Sequence, residues 1–206
     1  VRINGLDTGW GRADAEAAAG MDCDAVLVPK VDGPETVAAV LALVPGRPVW
    51  VMMESPAGCL NAAAIAMAPA MGGFVMGTND LAKEYNAVAT PDRQAFLFSL
   101  SAALVAARAY GLAAIDGVYN DIGNDAGLSA ECEQGRVLGF DGKTLVLGVP
   151  GDGFYRMPLD SSPDPFPLDV QIKQEVAGDF ELWAGVADSF DEENVPATGE
   201  YIKIPI

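Results

Sequence analysis

Histidine is absent from the 206 residues, and this absence excludes a whole group of mechanisms. Without an imidazole the chain supports no Ser-His-Asp or Cys-His triad, no His-ligated zinc and no histidine general base. Any chemistry must therefore use carboxylates, lysine, arginine, backbone groups or a metal ion.

Cysteine and long hydrophobic runs are also scarce. The three cysteines, Cys23, Cys59 and Cys132, lie far apart and form no CxxC pair, which argues against a disulfide framework or a zinc site. No apolar run reaches the ~18 residues that a membrane span needs, and no basic segment precedes an apolar one as in a signal peptide. We therefore expect a soluble protein in the reducing cytoplasm.

Positive charge is the third shortage: 12 Lys and Arg residues stand against 29 Asp and Glu residues, for a formal net charge of −17. Such a balance argues against nucleic-acid binding. Half of the residues are apolar, so the chain can bury a core. The acidity is strongest in residues 149–206, which hold 12 acidic and three basic residues.

Short apolar runs alternate with helical patterns up to about residue 148, which predicts an α/β fold with a parallel sheet. The strand candidates are Val1–Asn4, Ala25–Lys30, Pro48–Glu54, Gly73–Gly77, Ala113–Val118 and Lys143–Leu147. The helix candidates are Arg12–Ala19, Pro34–Leu43, Leu60–Ala68, Asp92–Tyr110 and Leu128–Leu138, the fourth with Thr90 as cap and Gly111 as its end.

A different pattern follows residue 148. Residues 150–167 are rich in Pro, Gly, Asp and Ser, which predicts a loop. The alternating stretches 170–173 and 201–204 predict short antiparallel strands. We therefore divide the chain into an α/β region at residues 1–148 and an acidic, β-like tail at residues 149–206.

Polar residues follow several strand candidates at the end where parallel α/β folds bind ligands. They are Arg2, Asn4, Lys30, Glu54, Asp80, Asp116, Asn120 and Asp121. Glu54 and Asp80 follow neighbouring strands, and two carboxylates without histidine suit Mg²⁺. Helix capping or a charge in the first turn of the next helix is the competing interpretation of both.

Three further polar positions keep two interpretations each. Arg2 is either a substrate contact or a solvated charge. Lys30 is either a catalytic amine or, as we favour, the ion-pair partner of Asp32 or Glu35. The acidic segment 116–125 suggests calcium, but it lacks the EF-hand spacing, so turn and helix-cap chemistry is favoured.

Five motifs, in order, resemble those of the HpcH/HpaI aldolase and citrate lyase beta-subunit family. They are Val1-Arg2-Ile3-Asn4, Ala25-Val26-Leu27-Val28-Pro29-Lys30-Val31, Met53-Glu54-Ser55-Pro56-Ala57-Gly58, Gly77-Thr78-Asn79-Asp80-Leu81 and Phe140-Asp141-Gly142-Lys143. The amino-acid sequences of these motifs are most similar to those of acyl-CoA lyases acting on malyl-CoA, methylmalyl-CoA or citramalyl-CoA.

The resemblance implies a TIM-type (β/α)8 barrel that cleaves a 3-hydroxyacyl-CoA to an oxoacid and an acyl-CoA, or runs the condensation, with Mg²⁺ as cofactor. It assigns catalysis to Arg2, Glu54 and Asp80. Glu54 and Asp80 would hold the metal, and Arg2 would contact the substrate. The looser assignments are a substrate pocket lined by Gly77, Thr78 and Asn79 and walled by Met53 and Pro56. The family also implies a homo-oligomer, a trimer or a hexamer.

The chain departs from the family pattern at both ends. The βα unit that ordinarily precedes the Arg2 strand is missing, and Val146-Leu147-Gly148-Val149-Pro150 replaces the family's Ile-His-Pro stretch. A barrel needs about eight strands, and the sequence predicts six. We therefore expect an incomplete barrel, from a fragment or processed product that begins at Val1, with a tail that is either a foreign β segment or the result of a fusion or altered reading frame.

The sequence leaves two other functions open. One is a non-catalytic barrel remnant that oligomerises through its unclosed edge and acidic tail. The other is a pyruvate-type aldolase that acts on free 2-oxo-4-hydroxy acids at the same metal and needs no CoA thioester.

Overall fold

A computed structural model describes residues 1–121 and 123–145, together with the strands at 169–176, 179–190 and 196–204. The chain divides into two compact units, Val1–Val146 and Leu147–Ile206. The expected assignment of a lyase domain and a tail to these regions stays a prediction.

The first unit contains one parallel five-stranded sheet. Its strands are β1 (Val26–Val28), β2 (Val49–Met53), β3 (Met71–Met76), β4 (Ala113–Tyr119) and β5 (Gly142–Leu145). They lie in the order β1-β2-β3-β4-β5, and each pairs in parallel with its neighbour. Helical segments connect successive strands, as parallel pairing requires. The predicted α/β class with a parallel sheet is confirmed.

The predicted strand at residues 1–4 is reduced to an isolated parallel bridge between Arg2 and Leu27. The Ile3 N–H donates to the Leu27 carbonyl over 3.1 Å, and the Leu27 N–H donates to the Val1 carbonyl over 2.8 Å. This short pairing places Arg2 beside β1, at the outer edge of the sheet.

Seven helices lie among the described residues, all in the first unit. They are α1 (Gly11–Gly20), α2 (Pro34–Leu43), α3 (Pro56–Leu60), α4 (Ala62–Ala66), α5 (Thr78–Tyr85), α6 (Leu97–Ala109) and α7 (Asp125–Leu138). The predicted helix 60–68 is instead the pair α3 and α4, which meet at Asn61. Helix α5 was not predicted. No helix of the described residues has the length and apolar character needed to cross a membrane.

The predicted start of the fourth helix is wrong, whereas its predicted end is confirmed. The Thr90 hydroxyl donates to Asp92 instead of capping a helix, and a 3₁₀ turn at Gln94–Phe96 precedes α6. Arg93 has a φ of +53°, a left-handed conformation that interrupts any helix running from residue 92. At the other end, Gly111 takes a φ of +69°, and the Leu112 N–H returns to the Ala107 carbonyl.

An apolar core fills the space between the sheet and its helices. Fully buried members include Val26, Val28, Val49, Val51, Met53, Ile65, Phe74, Leu81 and Leu100. Along β2, buried and half-buried residues alternate, as a strand with two differently covered faces requires. Burying side chains of this size contributes about 1.5–3 kcal/mol each relative to exposure.

A buried ion network ties β4, β5 and α7 together. Asp116 lies within β4, not at its end, and accepts hydrogen bonds from Arg93 at 2.7 and 2.8 Å and from Lys143 at 3.2 Å. Lys143 also donates to Glu131 of α7. Asp116 is thus a structural ion, which corrects its placement among the strand-end ligand candidates.

The segment after β4 uses its polar groups for turn and cap chemistry, as favoured. The Asn124 side chain accepts from the Gly127 N–H over 3.0 Å at the start of α7, and Asn124 donates to Asp121 over 2.8 Å. Among the residues that the structure describes, no group of three or more His, Cys, Asp or Glu side chains could hold a metal.

The second unit contains a three-stranded antiparallel sheet in the order β6-β7-β8. Its strands are β6 (Asp169–Val176), β7 (Asp179–Phe190) and β8 (Pro196–Ile204). The predicted strands 170–173 and 201–204 fall within β6 and β8 and are confirmed, while β7 was not predicted. The predicted loop 150–167 and the divergent stretch 146–150 lie outside the described residues.

Candidate active site

The carboxyl ends of β1, β2 and β3 meet at one edge of the sheet, and each is followed by a charged residue. Lys30 comes two residues after β1, and Glu54 follows β2 directly. Asp80 lies in the first turn of α5, just beyond β3. The parallel order of the three strands thus assembles side chains that are 24 and 26 residues apart in the sequence.

Glu54 is buried and held by a backbone group. Only 4% of the residue is exposed, and its Oε1 accepts a hydrogen bond from the Lys30 N–H over 2.8 Å. A Cβ atom at Gly77 would collide with the Glu54 Cβ and lie 2.7 Å from its Oε2. Glycine at position 77 is therefore what lets the chain after β3 pass close to this carboxyl group.

Charges of both signs surround the Glu54 carboxyl group. Burial raises its pKa above the ordinary value, and the negative charge of Asp80 raises it further. The Lys30 N–H, the Lys30 ammonium and the Arg2 guanidinium act in the opposite direction, by favouring the carboxylate. Arg2, Lys30, Glu54 and Asp80 therefore form one electrostatic cluster, with two positive and two negative groups.

Lys30 forms an ion pair, but with a different partner from the one expected. Its Nζ lies 3.7 Å from Asp80 Oδ1, whereas Asp32 accepts a hydrogen bond from Ser55. The favoured pairing with Asp32 or Glu35 is therefore wrong. The partner that the fold supplies is 50 residues away in the sequence.

The remaining predicted pocket residues are placed unequally around this cluster. Gly77 and Thr78 are buried next to it, and Pro56 is half-buried at the first position of α3. Met53, by contrast, is fully buried in the apolar core. A side chain packed in the core cannot form a wall that a substrate touches, so we withdraw Met53 from the proposed pocket.

Asn79 brings Asn120 to the site, a contact that the sequence did not predict. Its amide group and that of Asn120 exchange two hydrogen bonds, of 3.1 and 2.6 Å, between the ends of β3 and β4. The sequence marked Asn120 as a strand-end residue but gave it no role. Both side chains are exposed, so the pair extends the polar rim of the site to the fourth strand.

The donor set of Glu54 and Asp80 fits Mg²⁺. This ion typically takes one or two carboxylates from the protein and leaves its other positions to water and substrate oxygens. Two carboxylates that lie close together repel each other, and a cation placed between them offsets that repulsion. An ammonium group already lies 3.7 Å from Asp80, so the site accommodates positive charge at this position.

Comparison with known proteins identifies the family. Residues 1–147 match the family profile described as HpcH/HpaI aldolase/citrate lyase. The chain belongs to this family. Among curated relatives, (3S)-malyl-CoA thioesterase of Cereibacter sphaeroides is 57% identical over 146 residues, which are 71% of this chain and 51% of the relative. Citrate lyase subunit beta of Escherichia coli is 34% identical over 158 residues, covering 71% and 52%.

Several solved structures share the fold of the described first unit. RipC from Yersinia pestis superposes with a TM-score of 0.67 at 26% identity, covering 71% of this chain and 69% of RipC. CitE from Mycobacterium tuberculosis, in complex with magnesium and acetate, gives 0.65 at 30% identity, covering 71% and 62%. A further CitE complex contains magnesium, acetoacetate and coenzyme A and gives 0.64 at 30% identity, covering 71% and 55%. This HpcH/HpaI-family chain spans about half the length of the curated relatives it matches.

Proposed function

We propose that the chain carries the metal site of a Mg²⁺-dependent carbon–carbon lyase that acts on a 3-hydroxyacyl-CoA such as malyl-CoA or citramalyl-CoA. The reaction is aldol-type cleavage to an oxoacid and an acyl-CoA, or the reverse condensation. The observation that carries the proposal is the juxtaposition of Glu54 and Asp80 at neighbouring strand ends, with Arg2 in electrostatic reach. In the whole protein, residues 1–146 form part of a TIM-type barrel.

The proposed roles follow from the charges and placement of the side chains. Mg²⁺ held by Glu54 and Asp80 would act as a Lewis acid toward the oxygens of the oxoacid. Arg2 stabilises the negative charge that develops on the thioester enolate when the carbon–carbon bond breaks. The exposed Asn79–Asn120 pair offers the N–H groups not used within the pair to polar atoms of the substrate.

The ligands of several similar proteins support this proposal, although these proteins are named for different activities. The CitE complexes combine magnesium with small acids, and one of them also contains coenzyme A. A metal site with two carboxylates suits that ligand class, because a chelating acid fills the coordination positions that the protein leaves open.

Thioester hydrolysis is the second candidate function, because the 57% identical relative is named (3S)-malyl-CoA thioesterase. The products separate the two reactions. Lyase cleavage of malyl-CoA gives an oxoacid and an acyl-CoA with its thioester intact, whereas hydrolysis gives the free acid and the free thiol of CoA. Assaying free thiol and oxoacid in the same reaction, with Mg²⁺ present, therefore distinguishes them.

The metal site is tested before turnover by the thermal melt of the chain with and without Mg²⁺ plus oxalate. A ligand that binds only the folded state raises the midpoint by mass action. We expect a rise in the wild type and in Glu84→Gln, which removes an exposed carboxylate from the same helix as Asp80. We expect no rise in Glu54→Gln, and an equal rise in that variant would refute the assignment of Glu54.

The remaining alternatives have their own outcomes. Turnover of free 2-oxo-4-hydroxy acids, without a thioester, would favour the pyruvate-type aldolase. Concentration-dependent mass in light scattering, with no effect of metal or acid on the melt, would favour the non-catalytic remnant. We also propose assembly into a trimer or hexamer, which the family resemblance implies. A cytoplasmic location is proposed from composition.

A further inference from the structure

Lys30 contacts both proposed metal ligands, and it does so through two different groups. Its backbone N–H donates to Glu54 Oε1 over 2.8 Å, and its Nζ lies 3.7 Å from Asp80 Oδ1. Among the described residues, no other residue makes a hydrogen bond or ion pair with both of these carboxylates. Lys30 therefore links the two ligands across the ends of three strands.

The backbone of Lys30 is held in an unusual conformation to make the first of these contacts. Its φ is +49°, in the left-handed region that side chains with a Cβ adopt only at a cost in free energy. Glycine would adopt this conformation without that cost. Among the residues that the structure describes, Asp80 is the one ion-pair partner of the Lys30 side chain.

That ion pair is loose. The Lys30 side chain is 56% exposed and that of Asp80 is 40% exposed, so water competes for both groups. A lysine ammonium is a compact point charge on a flexible stem, and it moves at little cost when another cation takes its place. A divalent ion carries twice its charge and binds both carboxylates at once.

We infer that Lys30 is a positioning residue: its ammonium group acts as the placeholder cation at Asp80 in the metal-free site and is released when the metal binds. The inference rests on the metal site of the proposed function and deepens it. Because the ammonium competes with the metal and repels it once bound, Lys30 weakens metal affinity through its side chain. Through its N–H it fixes the orientation of Glu54 whether or not metal is present.

Four variants test the side-chain contribution while the backbone N–H of residue 30 is kept. Lys30→Met removes the charge and keeps a side chain of similar length, and Lys30→Gly removes the side chain while keeping the N–H and the positive φ. Lys30→Arg keeps the positive charge. Lys83→Met is the matched control, because it removes the same charge from an exposed position on α5, one turn after Asp80.

The experiment is a titration of the full chain with Mn²⁺, in which electron paramagnetic resonance measures free Mn²⁺. We expect Lys30→Met and Lys30→Gly to bind Mn²⁺ about three- to fivefold more tightly than the wild type, the range that the loss of an exposed ion pair allows. Lys30→Arg should stay within about twofold of the wild type, as should Lys83→Met.

The outcomes distinguish the inference from the function on which it rests. If Mn²⁺ binding is lost in Glu54→Gln but Lys30→Met and Lys30→Gly match Lys83→Met, the placeholder role is overturned and the metal site stands. Weaker binding by Lys30→Met and Lys30→Gly overturns the inference as well. If the wild type binds no Mn²⁺, or binds it equally with Glu54→Gln, the metal site itself fails. Lys30→Gly keeps the test valid if Lys30→Met does not fold.

Discussion

The Nη1 atom of Arg93 lies 2.7 Å from Asp116 Oδ1 and 2.8 Å from Asp116 Oδ2, and neither side chain is more than 4% exposed. Lys143 adds a third hydrogen bond to the same carboxylate, and the Gly117 N–H adds a fourth. Asp116 is therefore an anion whose buried charge is matched from several sides. Removing it would leave two buried cations with Glu131 as their remaining anionic partner.

We predict that Asp116→Asn destabilises the first unit strongly. Breaking a buried pair by removing one partner typically costs about 3–5 kcal/mol, since it leaves uncompensated charge in a medium of low polarity. Urea unfolding measures this loss. Glu133→Gln is the control, because it breaks an exposed pair with Arg136 and should leave the unfolding midpoint unchanged. Equal effects of the two substitutions would contradict a structural role for the network.

Gly77→Ala is predicted to disable the metal site although no charged residue is substituted. The added methyl group would collide with the Glu54 side chain, so the carboxyl group would have to leave its place beside the Lys30 N–H. We expect the midpoint rise with Mg²⁺ plus oxalate to be lost. Gly20→Ala serves as the control, because a Cβ there meets nothing within 4 Å. A full metal response in Gly77→Ala would show that the approach at Gly77 is not needed.

The Arg108–Asp141 ion pair makes the free energy of unfolding of the first unit depend on pH in the acid range. Partial burial acts to raise the pKa of the Asp141 carboxyl group, but hydrogen bonds from Arg108 and from the Ala114 N–H outweigh it and hold the pKa below its usual value. A group with a lowered folded-state pKa stabilises the protein above its unfolded pKa and loses this effect as the pH falls.

We therefore expect the free energies of unfolding of the wild type and Asp141→Asn to differ most near neutral pH. The difference should shrink as the pH falls below about 4, the ordinary pKa of aspartate. Both partners are 44% exposed, so we expect about 1 kcal/mol or less. Asp24→Asn, which removes an exposed carboxylate just before β1, should not show this convergence. A difference that grows in acid would reverse the assigned direction.

Local patterns in the sequence predicted most of the parallel sheet because β1, β2 and β3 consist largely of apolar residues in short runs. They did not predict α5. The glycine at position 77 offers no side chain to cap this helix, so a place for Asp80 in the first turn of a helix was only the competing interpretation, which the structure confirms. Thr90 led to the opposite error, because the helix predicted to start after it is interrupted by the left-handed turn at Arg93.

The site was predictable as far as each residue's position at a strand end, and no further. Glu54 and Asp80 follow apolar runs, which the sequence shows directly. The pairing of Lys30 with Asp80 depends on the order of β1, β2 and β3, which brings distant residues together. A sequence pattern favours near neighbours such as Asp32, because it contains no information on which strand ends meet. The buried role of Asp116 was hidden for the same reason.

The strand order also sets how firmly each part of the site is anchored against local opening. β3 has a paired strand on both sides, and so does β2, and the Gly77 N–H extends their ladder to the Met53 carbonyl. β1 has β2 on one side and, among the described residues, the single bridge from Arg2 on the other. Amide protons of β3 should exchange with solvent far more slowly than those of β1. Glu54 follows a strand that is paired on both sides, whereas Lys30 follows the outer strand, so local opening of β1 reaches the lysine before the glutamate.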